Sequence, residues 1–414
     1  MNEHHDRKPE ECTITFAGDL LCPVELTECT GGNYEVCFEK IAPYLKKADL
    51  AVANLETPVA GEDLRYTYEK YRFNTPESYL TAIKSAGISF VSCAMNHCMD
   101  RDEIGIDRTL DNCRAAGLET TGMYKTEADR DKISVKNIGG IKVAFVNYTY
   151  GTNAFAHRTF LRNGYKVNLL QPEETLDGSI HLLNSPEQIE ADVKRIYSDE
   201  KEKYAPIVNP YLNRLERDIK EAKKQADFVI MLLHCGGQYN AEVDAYTRFV
   251  VGKIKEYGAD AIVGLHPHII QRSEYADGIF TAFCLGNFLS TRIDDSGEID
   301  CRYNAVLNMR LSKRADGSIG QKYSFALCYT DGSLGYPCDP QHRRNVRRKP
   351  DRRPQRKNPV LRLALRRRSK LRRSKIRIRY PVREVNRRFY NVVSIIKTPL
   401  NKTTCPKANR RRAC

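Results

Sequence analysis

The chain contains 414 residues, 41% of them hydrophobic, which is enough for a sizeable core in one large α/β domain or in two or three average domains. No apolar stretch approaches the length of a membrane span, so the sequence predicts no transmembrane helix. The net charge is +15, but residues 341–414 hold 28 Lys and Arg against two Asp and Glu, which leaves a net charge of −11 on residues 1–340. The sequence therefore predicts an acidic body followed by a strongly basic tail.

The N-terminus and the cysteines indicate a compartment. Residues 1–11 are polar and show no secretory signal, so we expect a cytoplasmic protein. The 14 cysteines form no CxxC pair, and several fall inside apolar runs, which is typical of buried free thiols in a reducing compartment. Cys98 and Cys235 are close in sequence to candidate site residues and could be reactive, although a core position is the favoured interpretation.

Six short apolar runs stand out along the body of the chain. Each is bounded by Gly or polar residues, which is typical of strands buried on both faces of an α/β sheet. The runs cover residues 13–16, 50–53, 90–95, 228–233, 261–263 and 280–285. Because ligands of open α/β sheets bind beyond the carboxyl ends of such strands, we expect the polar residues that follow the runs to converge at one rim. The alternative is six unrelated loop residues.

Helical patterns separate the strands. Amphipathic or charged segments, some ending at Gly, predict helices over 35–47 with a break at Pro43, and over 76–86, 103–116, 211–226 and 242–257. Residues 151–210 show no long period and are interpreted as an insertion or a lid over the site. Residues 305–328 alternate around an AspGlySer turn, which predicts a hairpin that completes a sheet. This alternation of strands and helices predicts a layered α/β domain.

His266-Pro267-His268 is the sharpest motif. The proline disfavours helix, and side chains two apart in an extended segment share a face, so the two imidazoles would point the same way. Another histidine ends the neighbouring predicted strand, and two carboxylates and an amide follow the earlier strands. The predicted metal ligands are Asp19, Glu56, Asn96, His234, His266 and His268. Mixed nitrogen and oxygen ligands favour Mn, Zn or Fe over a structural zinc, which prefers thiolates.

His97 is a candidate general acid that would protonate a leaving group, and Asp100 would orient it. The alternative for His97 is a structural, hydrogen-bonded histidine. Asn287 would close the pocket floor or donate a hydrogen bond to the substrate, and Asn54 and Gln238 are also predicted to bind substrate. The sequence contains no dinucleotide-binding, P-loop or GxSxG motif.

The motifs resemble those of the CapA family, which is named for bacterial capsule and poly-γ-glutamate synthesis. The resemblance rests on six motifs in the same order: GlyAsp (18–19), AsnLeuGlu (54–56), AsnHisCysMetAsp (96–100), HisCysGlyGlyGlnTyr (234–239), GlyLeuHisProHis (264–268) and LeuGlyAsnPhe (285–288). The family is similar in turn to calcineurin-like metallophosphoesterases. The resemblance covers residues 12–330 and implies a layered α/β/β/α sandwich. The basic tail at 341–414 lies outside the resemblance and is expected to be disordered or out of frame.

The phosphoesterase resemblance also implies individual roles. Glu56 stands where a bridging carboxylate would be, and His97 where the acid would be. The chain departs from the phosphoesterase pattern, because Asp19-Leu20-Leu21 replaces AspXHis and AsnLeuGlu replaces GlyAspXXAsp. Gln238 stands where many CapA-like sequences have Glu. One metal thereby loses a histidine, so we expect one or two divalent ions.

These patterns support three functional hypotheses. The first is a metal-dependent, CapA-like protein that makes or trims a capsule or poly-γ-glutamate polymer, by hydrolysis if it is an enzyme. The second is a metal-dependent phosphoesterase acting on a small phosphate or nucleotide. The third is a non-catalytic subunit that binds polymer within a synthesis complex. The expected substrate or partner is thus an anionic polymer or a small phosphate.

The tail at residues 341–414 has three interpretations. It is a disordered basic arm that binds a polyanion, or a surface helix around 359–379 whose apolar positions form no clean stripe. In the third interpretation the reading frame is lost near residue 341, and the tail has no evolved function.

Overall fold

A computed structural model describes residues 10–330 except 70, 174–184, 291–300 and 302. Within this part of the chain the strands are β1 Glu11–Leu20, β2 Leu50–Leu55, β3 Phe90–Ser92, β4 Glu119–Thr121, β5 Ser134–Ile138, β6 Ile141–Thr149, β7 Phe228–His234, β8 Ala261–Leu265, β9 Ser273–Ala276, β10 Ile279–Ala282, β11 Asn287–Leu289, β12 Tyr303–Lys313 and β13 Ile319–Tyr329. The basic tail lies outside the described residues, so its three interpretations stay predictions.

Helices connect these strands. They are α1 Val24–Thr30, α2 Ala42–Leu45, α3 Ser78–Ser85, α4 Asp102–Ala115, α5 Glu127–Arg130, α6 Ala154–His157, α7 Pro186–Lys194, α8 Lys201–Gln225 and α9 Ala245–Tyr257. Short 3-10 turns cover Tyr34–Cys37 and Glu62–Leu64, and a π turn covers Arg195–Asp199. Among the described residues, none of these helices has the length and apolar character needed to cross a membrane.

The strands form two sheets. The first has the order β13-β12-β1-β2-β3-β4, and β11 also pairs with β1. Its strands β1 to β4 and β11 are parallel, while the β12–β13 hairpin lies antiparallel against β1. The second sheet has the order β5-β6-β7-β8-β10-β9, with a parallel centre and an antiparallel strand at each edge. The predicted hairpin is therefore confirmed as the element that completes the first sheet.

Three apolar clusters separate four layers. The middle cluster lies between the facing sides of the two sheets, where the ring centroids of Phe90 in β3 and Phe145 in β6 are 4.7 Å apart. A second cluster packs α1 to α4 against the outer face of the first sheet. The third packs α8 and α9 against the second sheet. This arrangement confirms the predicted layered α/β/β/α sandwich, because each sheet is buried on both faces.

The last predicted strand, 280–285, is shorter than expected, because β10 ends at Ala282 and a separate strand, β11, begins at Asn287. β10 belongs to the second sheet, and β11 joins the first sheet beside β1. The chain changes sheet at Gly286, whose φ of 79° lies in the left-handed region that favours glycine. A Cβ on Gly18 would lie 1.8 Å from the carbonyl oxygen of Gly286, so only glycine permits β1 and this turn to approach so closely.

Two helix predictions differ in outcome. The expected division of 35–47 is confirmed, because a 3-10 turn and α2 replace one continuous helix, but the break precedes Pro43, which lies in the first turn of α2. For the helix predicted over 211–226, the predicted start at residue 211 is wrong. The observed helix, α8, begins at Lys201 and contains Pro206 and Pro210. Its buried stripe continues across both prolines, and this packing against the second sheet offsets the backbone hydrogen bonds that proline cannot make.

Apart from Cys301, the described cysteines are free thiols, and all of these but Cys29 are buried. Burial raises the pKa of Cys98 and of Cys235 well above the ordinary thiol value. A thiol held in its protonated form is a poor nucleophile, so the core interpretation of these two residues is confirmed.

Candidate metal centre

The site lies where the carboxyl ends of strands from both sheets meet. Asp19 in β1 is in register with Asn54 of β2 and with Asn287 of β11. On the second sheet, His234 ends β7 beside the last residue of β8, and His266 follows directly. The backbone N–H of His266 donates to Asp19 Oδ2 at 3.1 Å, which joins the two sheets at this point. The structure thus brings the predicted ligands from five separate segments to one end of the sandwich.

Glu56 is the centre of the ligand cluster. Its Oε1 lies 3.6 Å from His234 Nε2, 3.9 Å from His266 Nδ1 and 3.8 Å from His268 Nε2. His234 Nε2 is also 3.1 Å from His266 Nδ1 and 3.0 Å from Asn96 Oδ1. Donor atoms about 2.1 Å from one ion lie roughly 3 to 3.5 Å apart. The spacing of these atoms therefore fits donors that share an ion.

The cluster divides into two overlapping groups that share Glu56. Glu56, His234 and His266 form one group, and Asp19, Glu56 and His268 form the other. Within each group the donor atoms all lie within 4.8 Å of one another. A carboxylate common to both groups has the position of a bridging ligand, and the arrangement can accept one or two ions.

Burial sets the charge state of these donors. Asp19, Glu56, His234 and His266 are completely buried. Burial raises the pKa of Asp19 to about 7, although hydrogen bonds from the His266 backbone and from Asn54 oppose this change. Burial also lowers the pKa of His234 and of His266 well below the ordinary value, so both imidazoles are neutral and able to bind a metal.

The chemistry of the donor atoms is compatible with a divalent cation. His266 Nε2 is buried and has no hydrogen-bond partner within the described part of the chain. Two buried carboxylates beside neutral imidazoles are costly without a compensating positive charge. A divalent transition metal supplies that charge and prefers this mixture of nitrogen and oxygen ligands.

Two amides hold the ligands in place. Asn54 Nδ2 donates to Asp19 Oδ1 at 3.0 Å and lies 3.3 Å from His234 Nδ1. Asn287 Oδ1 lies 2.9 Å from His268 Nδ1, which leaves Nε2 of that ring toward Glu56. These contacts suit residues that orient metal ligands. The substrate-binding roles predicted for Asn54 and Asn287 stay predictions.

Gln238 lies apart from this network. It is half-buried in the turn after β7, and among the described residues no hydrogen bond joins it to the ligand cluster. Its predicted contact with substrate therefore stays a prediction.

The His266-Pro267-His268 segment is not extended, and that prediction of its backbone is wrong. His266 has a φ of 95° and His268 a φ of 62°, both in the left-handed region that is uncommon for residues with a side chain. The two rings nevertheless converge, with centroids 5.3 Å apart. The contacts of both rings with carboxylates and the backbone hydrogen bond to Asp19 hold this strained conformation.

The candidate acid His97 is oriented as the sequence suggests. His97 Nδ1 donates to Asp100 Oδ2 at 2.8 Å, and the backbone N–H of Phe73 donates to the same oxygen at 2.6 Å. The ring of Phe73 packs on the imidazole with a centroid distance of 4.5 Å. Because Nδ1 carries the proton shared with Asp100, Nε2 is the atom left for proton transfer.

Sequence reasoning missed a strand and the site residues that follow it. Strand β6 ends near Asn147, whose Oδ1 accepts from the backbone N–H groups of Cys93 and Ala94 at 3.1 and 2.7 Å and so links the two sheets. The ring of Tyr150 lies 4.9 Å from that of His266. The sequence contained a signal for this strand, since residues 143–146 form another apolar run followed by polar residues.

The predicted insertion at 151–210 also supplies side chains to the site. Asn153 Oδ1 accepts from Asn96 Nδ2 at 3.3 Å, and His157 Nε2 lies 3.6 Å from Asp100 Oδ1. His97, Asp100 and His157 form a third group with donor atoms within 4.8 Å of one another. The insertion therefore reaches the candidate acid, and its role as a lid stays a prediction.

Comparisons with known proteins agree with the motif order. Residues 13–292 match the family model described as "Bacterial capsule synthesis protein PGA_cap". "Capsule biosynthesis protein CapA" of Bacillus anthracis is 26% identical over 304 residues, which cover 70% of this chain and 63% of that protein. "PGA biosynthesis protein CapA" of Bacillus subtilis (strain 168) is 24% identical over 311 residues, which cover 74% and 69%. The chain thus matches less than two thirds of the Bacillus anthracis protein.

Proposed function

Since the chain belongs to the PGA_cap family of bacterial capsule synthesis proteins, we propose that it is a metal-dependent hydrolase that trims or processes an anionic polymer such as poly-γ-glutamate. The observation that carries this proposal is the position of Glu56 Oε1, within 3.9 Å of imidazole nitrogens of three histidines. In the cell the protein would act with other components of polymer synthesis. The cytoplasmic location expected from the sequence stays a prediction.

The proposed ligands of one or two Mn, Zn or Fe ions are Asp19, Glu56, Asn96, His234, His266 and His268. A divalent ion at this place supplies Lewis acidity for hydrolysis. Asn54 and Asn287 orient the ligands, and burial of the cluster keeps bulk water away from it.

His97 would act on the leaving group. A γ-glutamyl bond is an amide, and its amine leaves efficiently only when a proton reaches the nitrogen. His97 Nε2 would donate this proton, while Asp100 fixes the ring through Nδ1. Water would form the new carbon–oxygen bond as the carbon–nitrogen bond breaks, and the proton that this water releases would return to His97.

The test uses purified full-length protein under metal-replete conditions. Wild type should hold one or two transition-metal ions per chain, and His268→Ala should hold fewer because a ligand is lost. His97→Ala should keep its metal while hydrolysis of poly-γ-glutamate falls by roughly 10²- to 10⁴-fold. Equal, negligible metal content in wild type and His268→Ala would overturn the metal centre. Loss of metal in His97→Ala would make His97 a ligand or a structural residue.

A phosphoesterase is the second candidate, and the donor set of carboxylates, an amide oxygen and histidines beside His97 favours it, because such a set also suits hydrolysis of phosphate esters. Turnover of a p-nitrophenyl phosphate ester that disappears in His266→Ala would support this activity. Full metal content without turnover of ester or polymer would instead favour a non-catalytic, polymer-binding role.

A further inference from the structure

Several arginines lie close to the candidate acid, although residues 1–340 carry a net charge of −11. We define the arginine rim as Arg65, Arg72 and Arg101. The guanidinium carbons of Arg65 and Arg101 lie 3.9 and 5.6 Å from the ring centroid of Tyr68, which is exposed. Asp63, a carboxylate that precedes the rim arginines in sequence, is already paired with Arg108. A hydrogen bond from Tyr68 and the charges of the three rim arginines lower the pKa of Glu69, so this carboxylate offsets one of the three positive charges. The rim therefore keeps a net positive charge on an acidic body, and such a feature attracts anions.

Hydrogen bonds hold the arginine rim close to the candidate acid, His97. The Arg101 guanidinium donates to the carbonyl oxygens of Leu64 at 3.0 Å, Arg65 at 3.0 Å and Arg72 at 3.5 Å. The residue after Arg72 is Phe73, whose backbone N–H and ring contact Asp100 and His97. Arg72 therefore directly precedes the residue that supports the candidate acid.

Three polar atoms beside this acid lack hydrogen bonds. Arg72 Nε, Asp100 Oδ1 and His157 Nε2 are buried, and within the described residues none has a hydrogen-bond partner, although Asp100 Oδ1 and His157 Nε2 lie 3.6 Å apart as an ion pair. Buried polar atoms are nearly always hydrogen-bonded in folded proteins, so a bound group is expected at Arg72 Nε. Arg72 Nε is only a donor and requires an acceptor, and guanidinium groups preferentially bind carboxylates and phosphates.

We infer that Arg72 binds an oxyanion group of the substrate, a carboxylate or a phosphate, next to His97, and that His157 and Arg65 complete this subsite. The inference rests on the proposed function and specifies how that site recognises its substrate. An acidic polymer is repelled by the rest of the body and would enter the site along the rim. A metal ion bound by His97, Asp100 and His157 is less favourable, because Arg72 and Arg101 add positive charge there.

The experiment measures binding of two probes, a γ-linked glutamate tetramer and inorganic phosphate, to full-length, metal-loaded protein. Arg72→Gln should weaken binding of the recognised probe by about tenfold or more, and Arg65→Gln by less. The matched control is Arg310→Gln, which removes the same charge from β12, where Arg310 pairs with Glu11. It leaves the basic tail unchanged and should bind as wild type. The probe that Arg72→Gln weakens identifies the oxyanion as carboxylate or phosphate.

Each outcome decides the inference. If Arg72→Gln keeps wild-type metal content and melting temperature and binds both probes as wild type does, the subsite is wrong while the proposed function stands. If wild type binds neither probe, the inference fails together with the proposed substrate, and the metal content of His268→Ala still tests the metal centre separately. If Arg72→Gln does not fold, Arg65→Gln decides, because Arg65 is exposed; unchanged affinity in that variant overturns the subsite.

Discussion

Asn54 is a single buried side chain that contacts two candidate metal ligands from different sheets. Its Nδ2 reaches Asp19 in the first sheet and His234 in the second, while its Oδ1 accepts from Ser92 Oγ at 2.9 Å. Both ends of the amide are therefore engaged, and the side chain has one orientation. Residues of this kind control a metal site without touching the ion, because they hold each ligand in the geometry that binding needs.

Asn54→Ala should therefore lower the affinity for Zn²⁺ or Mn²⁺ by roughly 10- to 100-fold, the usual effect of removing a group that orients ligands. A competition titration against a chelator measures this change. Asn308→Ala is the matched control. Asn308 lies in β12 of the same sheet, its Nδ2 donates to Tyr44 Oη at 2.6 Å, and among the described residues it makes no hydrogen bond to a candidate ligand. Equal affinity in both variants would show that Asn54 does not orient the ligands.

Helix α4 is the element that anchors the inserted segment. Glu103 in α4 accepts from the backbone N–H groups of Arg162 and Asn163, each at 2.7 Å, and from Asn163 Nδ2 at 2.6 Å. Lys166 also forms an ion pair with Asp107, one helical turn further on. The helix that starts just after the candidate acid therefore also holds the segment that carries His157.

The Glu103 contacts predict a pH-dependent stability. Partial burial acts to raise the pKa of Glu103, but hydrogen bonds from Asn163 and Arg162 outweigh it and lower the pKa. A carboxyl whose pKa is lower in the folded protein stabilises the fold above its unfolded pKa of about 4.3, and this contribution is lost as pH falls through the folded value. Glu103→Gln should therefore destabilise the protein by about 1 to 2 kcal/mol at pH 7.

Thermal melting of wild type and Glu103→Gln from pH 7 to pH 3 measures this effect, and the difference between their melting temperatures should shrink below a pH of about 4. Glu202→Gln is the control, because Glu202 is exposed in α8 and should melt as wild type throughout. A difference that stays constant across this range would show that the Glu103 charge does not hold the segment.

At the scale of the whole molecule, the last described strand ends before the basic tail begins. Strand β12 pairs with β1 from Glu11 to Phe16, and β13 ends the first sheet at Tyr329. Every candidate site residue precedes this hairpin in sequence. The domain boundary near residue 330 stays a prediction that this strand order supports, and none of the candidate ligands lies in the tail.

A chain that ends at residue 340 should fold and keep its metal, since both sheets and all candidate ligands remain. A chain that ends at residue 300 is the control, because it lacks the hairpin beside β1 and should not fold. Circular dichroism melting and metal analysis measure both outcomes. Unfolding of the longer chain would place the domain boundary inside the tail. Sequencing the gene across codons 330–350 would then separate a functional arm from a lost reading frame.

The sequence by itself determined the alternation of strands and helices, the closing hairpin, and the residue types that follow each strand. These features are local, because periodicity, glycine and proline positions and side-chain chemistry are all written in short segments. The order of six such segments was enough to indicate the family and the donor set around Glu56. The same reasoning failed at α8, because the predicted start at residue 211 missed the first part of the helix, which contains Pro206 and Pro210.

Only the tertiary structure decided which atoms meet. The left-handed backbone of His266 and His268, the change of sheet at Gly286 and the approach of His157 to Asp100 all depend on contacts between segments distant in sequence. Such contacts stabilise conformations that local preferences disfavour, so no short stretch of sequence reveals them. The position of His157 could therefore be known only once the two sheets and the inserted segment were placed together. The same holds for Nε of Arg72, which has no hydrogen-bond partner within the described residues.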